Sequence, residues 1–79
     1  MNKEEAKIIE VLCEICGAEP EDLEGDMELF DEGILDSFGV ISLFVELEDA
    51  FGIKLDPTEV ERSVISTPNK LVAYVLERL

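Results

Sequence analysis

The chain contains no histidine, and this absence removes much of the chemistry that a serine or cysteine enzyme needs. A nucleophilic serine requires a neighbouring base, which is most often histidine. Cys13 and Cys16 have C-x-x-C spacing, but no other cysteine and no histidine complete a zinc site. No βαβ pattern accompanies them, so we interpret them as two small apolar side chains of a helix.

Basic residues are also scarce, with six Lys and Arg against 20 Asp and Glu and a net charge of −14. This charge disfavours binding to nucleic acid or to an anionic membrane, and it favours a protein partner with a basic docking surface. The chain has no apolar run of membrane-spanning length, and charged residues precede its first apolar run, unlike a signal peptide. We therefore expect a cytoplasmic protein.

The apolar periodicity predicts an all-α fold in one domain spanning residues 1–79. Glycines stop two of the predicted helices, and the pairs Asp56-Pro57 and Thr67-Pro68 are typical of an N-cap followed by proline. No strand signal of useful length is present. The prediction is a four-helix bundle with a long first loop: helices over 3–16 and 37–52, a short third helix over 56–62, and a fourth that begins after Thr67.

The predicted loop over residues 17–36 holds nine acidic residues and no base. A long loop in a small domain is usually anchored or functional. Six apolar side chains are expected to pin it to the core: Leu23, Met27, Leu29, Phe30, Ile34 and Leu35. A calcium loop of the EF-hand type is excluded, because placing Gly33 at its sixth position puts Phe30 and Gly39 where ligands are needed. We predict no metal site.

The second helix has more apolar residues than one buried face needs. Its core stripe is Val40, Leu43, Phe44, Leu47 and Phe51. A second apolar strip consists of Phe38, Ile41 and Val45, and the acids Glu46, Glu48 and Asp49 lie beside it or continue it. An exposed apolar strip edged with acids suits transient docking of a partner. The alternative is a central helix that is buried nearly all round.

Ser37 stands where this helix begins. It is either the helix N-cap or a site of covalent modification, since no base supports a hydrolase and the G-x-S-x-G motif is absent. A phosphate ester on Ser37 would lie at the positive end of the helix dipole. Asp36 would repel that anion unless it helps a partner to position a divalent metal during attachment.

These residues resemble the acyl and peptidyl carrier protein family. The resemblance rests on Leu29-Phe30-Asp31, on Gly33-Ile34-Leu35-Asp36-Ser37 and on the apolar and acidic helix that follows. It implies that Ser37 carries 4′-phosphopantetheine, donated by coenzyme A through a phosphopantetheinyl transferase that recognises Asp36. The arm would hold an acyl or aminoacyl group as a thioester, and the protein would present this cargo without catalysing a reaction.

Within that family, the segment 30–39 and the helix opening Thr67–Val72 are similar to the carrier proteins that deliver D-alanine to lipoteichoic acid. Val60 and Ile65 stand where that subfamily has a Phe and a Trp. The resemblance implies a monomer whose partners are a D-alanine-activating ligase and a downstream acyl-transfer protein. The alternatives are a carrier for fatty-acid, polyketide or peptide synthesis, and an acidic interaction module in which Ser37 is only a helix cap.

Overall fold

The structure, a computed structural model, describes residues 3–79, and over this range it is helical with no strand. Its elements are α1 (Lys3–Cys16), a 3₁₀ turn at Pro20–Asp22, α2 (Ser37–Phe51), a 3₁₀ turn at Arg62–Val64 and α3 (Pro68–Leu76). Met1 and Asn2, the first residues of the predicted domain, lie outside the described residues. Within this range, no helix combines the length and apolar character that crossing a bilayer requires.

The ends of the helices follow the local sequence signals. Gly17 and Gly52 have φ of 66°, a left-handed conformation in which glycine is favoured, and they stop α1 and α2. At the start of α3, Thr67 Oγ1 accepts a hydrogen bond from Lys70 N at 3.2 Å, while Pro68 occupies the first helical position. The predicted first, second and last helices are confirmed.

The predicted third helix over residues 56–62 is not confirmed. Asp56 does act as a cap, because its Oδ1 accepts from Thr58 N at 2.9 Å and from Thr58 Oγ1 at 2.6 Å. However, the chain makes only one turn, closed by a 3.1 Å bond from Glu59 N to Asp56 O, before the separate 3₁₀ turn. The described chain therefore has three α-helices, and an irregular segment, residues 53–66, links the last two.

The core lies between the three helices and is completed by the acidic loop, residues 17–36. Leu23, Leu29 and Leu35 of that loop are buried, as predicted, and its remaining apolar side chains are partly buried against the core. Leu29 also donates its N–H to Ser66 O at 2.8 Å. This bond ties the acidic loop to the 53–66 segment, so the two irregular stretches are held side by side.

Aromatic packing connects α2 with α3. The rings of Phe44 and Tyr74 stack with centroids 6.0 Å apart and an interplanar angle of 10°. Tyr74 is buried together with Leu71 and Val75 of the same helix. At the end of the chain, Leu76 is partly buried against the core and half of the Leu79 side chain is exposed.

The two cysteines behave as the sequence predicts. Both thiols are free, with Cys13 buried and Cys16 half-buried on α1. Burial raises the pKa of the Cys13 thiol, and the carboxylates of Glu19 and Asp22 raise it further. Burial, followed by the neighbouring Cys13, raises the pKa of Cys16. Thiols of this kind are poor nucleophiles near neutral pH.

Candidate functional site

Ser37 occupies the first position of α2 and is exposed. The N-cap is Asp36, which has extended backbone angles and accepts a 2.8 Å hydrogen bond at Oδ1 from Gly39 N. The alternative in which Ser37 itself caps the helix is therefore wrong. Because a neighbouring carboxylate performs the capping, the Ser37 hydroxyl is not needed for it and lies exposed at the helix start.

Arg62 lies directly against this hydroxyl. Its Nη2 donates to Ser37 Oγ at 2.6 Å, and its guanidinium carbon lies 5.0 Å from the centroid of the Phe30 ring. Sequence reasoning did not identify Arg62, because 25 residues separate it from Ser37. The only available signal was the scarcity of bases in the chain.

The backbone of the acidic loop positions Phe30, whose ring lies against the Arg62 guanidinium. Gly33 adopts a φ of 73° and donates its N–H to Phe30 O at 3.1 Å, which closes a tight turn. Ile34 N then donates to Leu29 O at 2.9 Å. The turn brings the chain from Phe30 back to the start of α2, so the acidic loop, α2 and the 53–66 segment meet at Ser37.

The α2 strip, defined as Phe38, Ile41 and Val45, is on the surface. Phe38 is 82% exposed, and Ile41 and Val45 are each 51% exposed. The alternative that α2 is buried nearly all round is wrong, because only the stripe of Val40, Leu43, Phe44 and Leu47 is buried. An 82% exposed phenylalanine next to the candidate serine has no role in the core.

The acids near the α2 strip are not equivalent. Glu46 and Asp49 are exposed, whereas Glu48 is half-buried and its Oε2 accepts from Leu55 N at 3.0 Å. Glu48 thus satisfies a backbone donor of the segment that follows α2. Glu46 and Asp49 are the carboxylates that remain available to a partner.

The chemistry of this site fits attachment of a phosphate-linked group. The Ser37 hydroxyl is exposed and not used for capping, and a guanidinium lies beside it that can neutralise an added anion. Among the described residues, no three His, Cys, Asp or Glu side chains are grouped so as to hold a metal ion. An exposed hydroxyl beside a guanidinium is a suitable place for a phosphate-linked group.

Comparison with known proteins identifies the class. Residues 6–75 match the family described as phosphopantetheine attachment site. The chain belongs to this family of carrier proteins, and its prosthetic group is 4′-phosphopantetheine. The carrier resemblance of the sequence is confirmed.

The individual relatives are D-alanyl carrier proteins. That of Bacillus velezensis is 39% identical over 71 residues, covering 90% of this chain and 91% of the relative. That of Lactococcus lactis subsp. cremoris is 44% identical over 72 residues, covering 91% of each. That of Bacillus subtilis is 38% identical over 71 residues, covering 90% of this chain and 91% of the relative. The similarity to the D-alanyl subfamily is therefore also confirmed.

Proposed function

We propose that the chain is a single carrier domain that holds D-alanine as a thioester on a phosphopantetheine arm attached to Ser37. The observation that supports this site most directly is the exposed Ser37 hydroxyl, which Asp36 frees from capping. The names of the relatives support D-alanine as the cargo.

The attachment step needs a partner enzyme. Ser37 Oγ forms a bond to phosphorus, the phosphorus–oxygen bond to the nucleotide half of coenzyme A breaks, and that nucleotide leaves. The hydroxyl proton passes to a base of the transferase. Arg62 donates to Oγ and leaves the hydroxyl hydrogen free for that base. Asp36 contributes to recognition by the transferase while it caps α2.

The α2 strip is the proposed docking surface for the ligase that activates D-alanine and for the downstream acyl-transfer protein. Its apolar side chains supply contact area, and the carboxylates of Glu46 and Asp49 steer a basic partner surface towards it. Glu48 supports this surface indirectly by holding Leu55. The protein acts as a cytoplasmic monomer that presents its cargo and catalyses no step itself.

The attachment site is tested by intact mass. Wild type, Ser37→Ala and the control Ser42→Ala, which alters an exposed serine of the same helix, are incubated with coenzyme A and a phosphopantetheinyl transferase. We expect a gain of one phosphopantetheine on wild type and Ser42→Ala only. A gain on Ser37→Ala would show that the arm is attached elsewhere.

The cargo is tested next on the loaded protein. A D-alanine-activating ligase with ATP and D-alanine should add one D-alanyl group to the arm thiol, and hydroxylamine should release it, as expected for a thioester. Transfer of a fatty acyl group by an acyl transferase, with no loading of D-alanine, would instead identify a carrier for another pathway.

The docking surface is tested through the kinetics of ligase loading. Replacing Ile41 and Val45 together by serine should raise KM about tenfold, because it removes apolar contact area that is half exposed in the free protein. Leu79→Ser is the control, since Leu79 is also 50% exposed but lies at the end of the chain. An equal effect of the control, or no effect of the double variant, would contradict the proposed surface.

A further inference from the structure

Arg62 has an environment that is unusual for a base in so acidic a chain. The chain contains 20 acidic residues, yet within residues 3–79 no carboxylate lies within salt-bridge distance of the Arg62 guanidinium. Its contacts are the Ser37 hydroxyl at 2.6 Å and the face of the Phe30 ring at 5.0 Å. An exposed guanidinium held on a neutral oxygen and a ring retains most of its capacity to bind an anion.

We propose that Arg62 binds the phosphate of the phosphopantetheine group and so fixes the direction in which the arm leaves α2. The inference rests on the proposed attachment at Ser37. Esterification replaces the hydroxyl hydrogen of Ser37 by phosphorus, which brings charged acceptor oxygens next to the oxygen that Nη2 already contacts. The hydrogen bond of Arg62 thereby changes from one with a neutral acceptor to one assisted by charge, which is shorter and stronger.

Apart from the positive end of the α2 dipole, the groups near Ser37 supply little compensation for the added negative charge. Asp36 precedes Ser37, and its carboxylate already accepts the N–H of Gly39, so that N–H is unavailable to the phosphate. Lys54, the other base of the 53–66 segment, lines a cleft with Glu48. Eleven residues of helix separate Ser37 from Glu48, or about 16 Å along the axis of α2. Arg62 is thus the base placed to hold the phosphate.

The Phe30 ring prepares the guanidinium for this contact. Stacking on an aromatic face restricts the rotation of a long side chain, so less conformational entropy is lost when an anion binds. The planar fork of arginine can donate two parallel hydrogen bonds to a phosphate, whereas a lysine ammonium acts as a point charge. Lysine at position 62 should therefore restore the attraction but not the full orientation.

The experiment compares apo and fully loaded forms of wild type, Arg62→Gln, Arg62→Lys and Arg78→Gln. Arg78 is a matched control, since its guanidinium carbon lies 3.7 Å from the Tyr74 ring centroid and its Nη1 donates to Tyr74 O at 3.0 Å. It lines the same cleft as Glu48, and Ser37 is not part of that lining. Intact mass establishes loading, and the readouts are the ³¹P NMR shift of the phosphodiester in low and high salt and the change in Tm on loading.

We expect the ³¹P signal of wild type and of Arg78→Gln to move as salt screens the ion pair, and the signal of Arg62→Gln to be insensitive to salt. The change in Tm on loading should be about 2–5 °C less favourable for Arg62→Gln than for wild type. The change for Arg62→Lys should lie between these two. Identical behaviour of Arg62→Gln and wild type would overturn the role of Arg62, as would an equal loss in Arg78→Gln. Failure of the folded wild type to load would instead reject attachment at Ser37 and, with it, this inference.

Discussion

Asp36 has two roles, as helix cap and as proposed recognition residue, and substitutions can separate them. Its Oδ1 accepts the Gly39 N–H at 2.8 Å, and its own backbone O accepts Val40 N at 2.9 Å. Asp36→Ala removes only the side-chain bond, and loss of an N-cap costs about 1 kcal/mol. In a domain of this size that cost lowers Tm by about 4–8 °C.

Asparagine at position 36 provides the comparison. Its side-chain oxygen caps as well as that of aspartate, and the substitution loses only the interaction of the charge with the helix dipole, about 0.3 kcal/mol. Thermal melts of the apo proteins should therefore rank wild type first, Asp36→Asn slightly lower and Asp36→Ala clearly lowest. A melt of Asp36→Ala equal to that of wild type would refute the capping assignment.

The same variants then test recognition. If the transferase reads the carboxylate, Asp36→Asn should lose about tenfold in the kcat/KM of loading while retaining its fold, since one charge-assisted contact is worth about 1.5 kcal/mol. Asp31→Asn removes the same charge from the exposed loop and should load normally. Normal loading of Asp36→Asn would show that Asp36 is a cap alone, with no part in recognition.

Three further outcomes follow from the structure. Glu48→Ala should lower the free energy of unfolding by about 1.5 kcal/mol in urea melts, because it leaves Leu55 N without its carboxylate acceptor. The control Glu46→Ala changes an exposed residue and should leave stability unchanged, so equal effects would contradict the assigned role of Glu48. Because the pKa of both cysteine thiols is raised, iodoacetamide should modify Cys13 and Cys16 slowly at pH 7.5 and faster as the pH rises, and the thiol of the loaded arm should react first. Rapid modification of Cys13 at pH 7.5, measured by mass spectrometry, would contradict this expectation. Raising NaCl should increase Tm by screening a net charge of −14, and a Tm independent of salt would show that self-repulsion is minor.

The predicted third helix shows where local signals fail. The cap at Asp56 formed as the sequence indicated, yet no helix followed it. Short isolated helices are unstable in water, and most helical stability comes from packing a continuous apolar face. In this segment the buried side chains Leu55 and Ile65 are ten positions apart, and Val60 between them is only half-buried. Such spacing anchors an irregular chain but does not stabilise a helical turn.

The contact between Arg62 and Ser37 shows a different limit. Its two residues are 25 positions apart, and neither periodicity nor capping rules relate them. The contact exists because Leu29 and Ser66 join the acidic loop to the 53–66 segment, and because a turn at Gly33 returns the loop to α2. The side chain that the structure places beside the proposed attachment oxygen was therefore absent from the predicted site.

What the sequence determined by itself was local: three helices with their glycine and proline boundaries, the surplus apolar residues of α2, and the serine at its start. Periodicity and capping depend on neighbours within one or two helical turns, so these features are encoded in short stretches of chain. Tertiary structure alone decided that Glu48 turns towards Leu55 and that Arg62 meets Ser37 over the Phe30 ring. Those contacts join distant segments, and they form only when burial of the shared core brings the segments together.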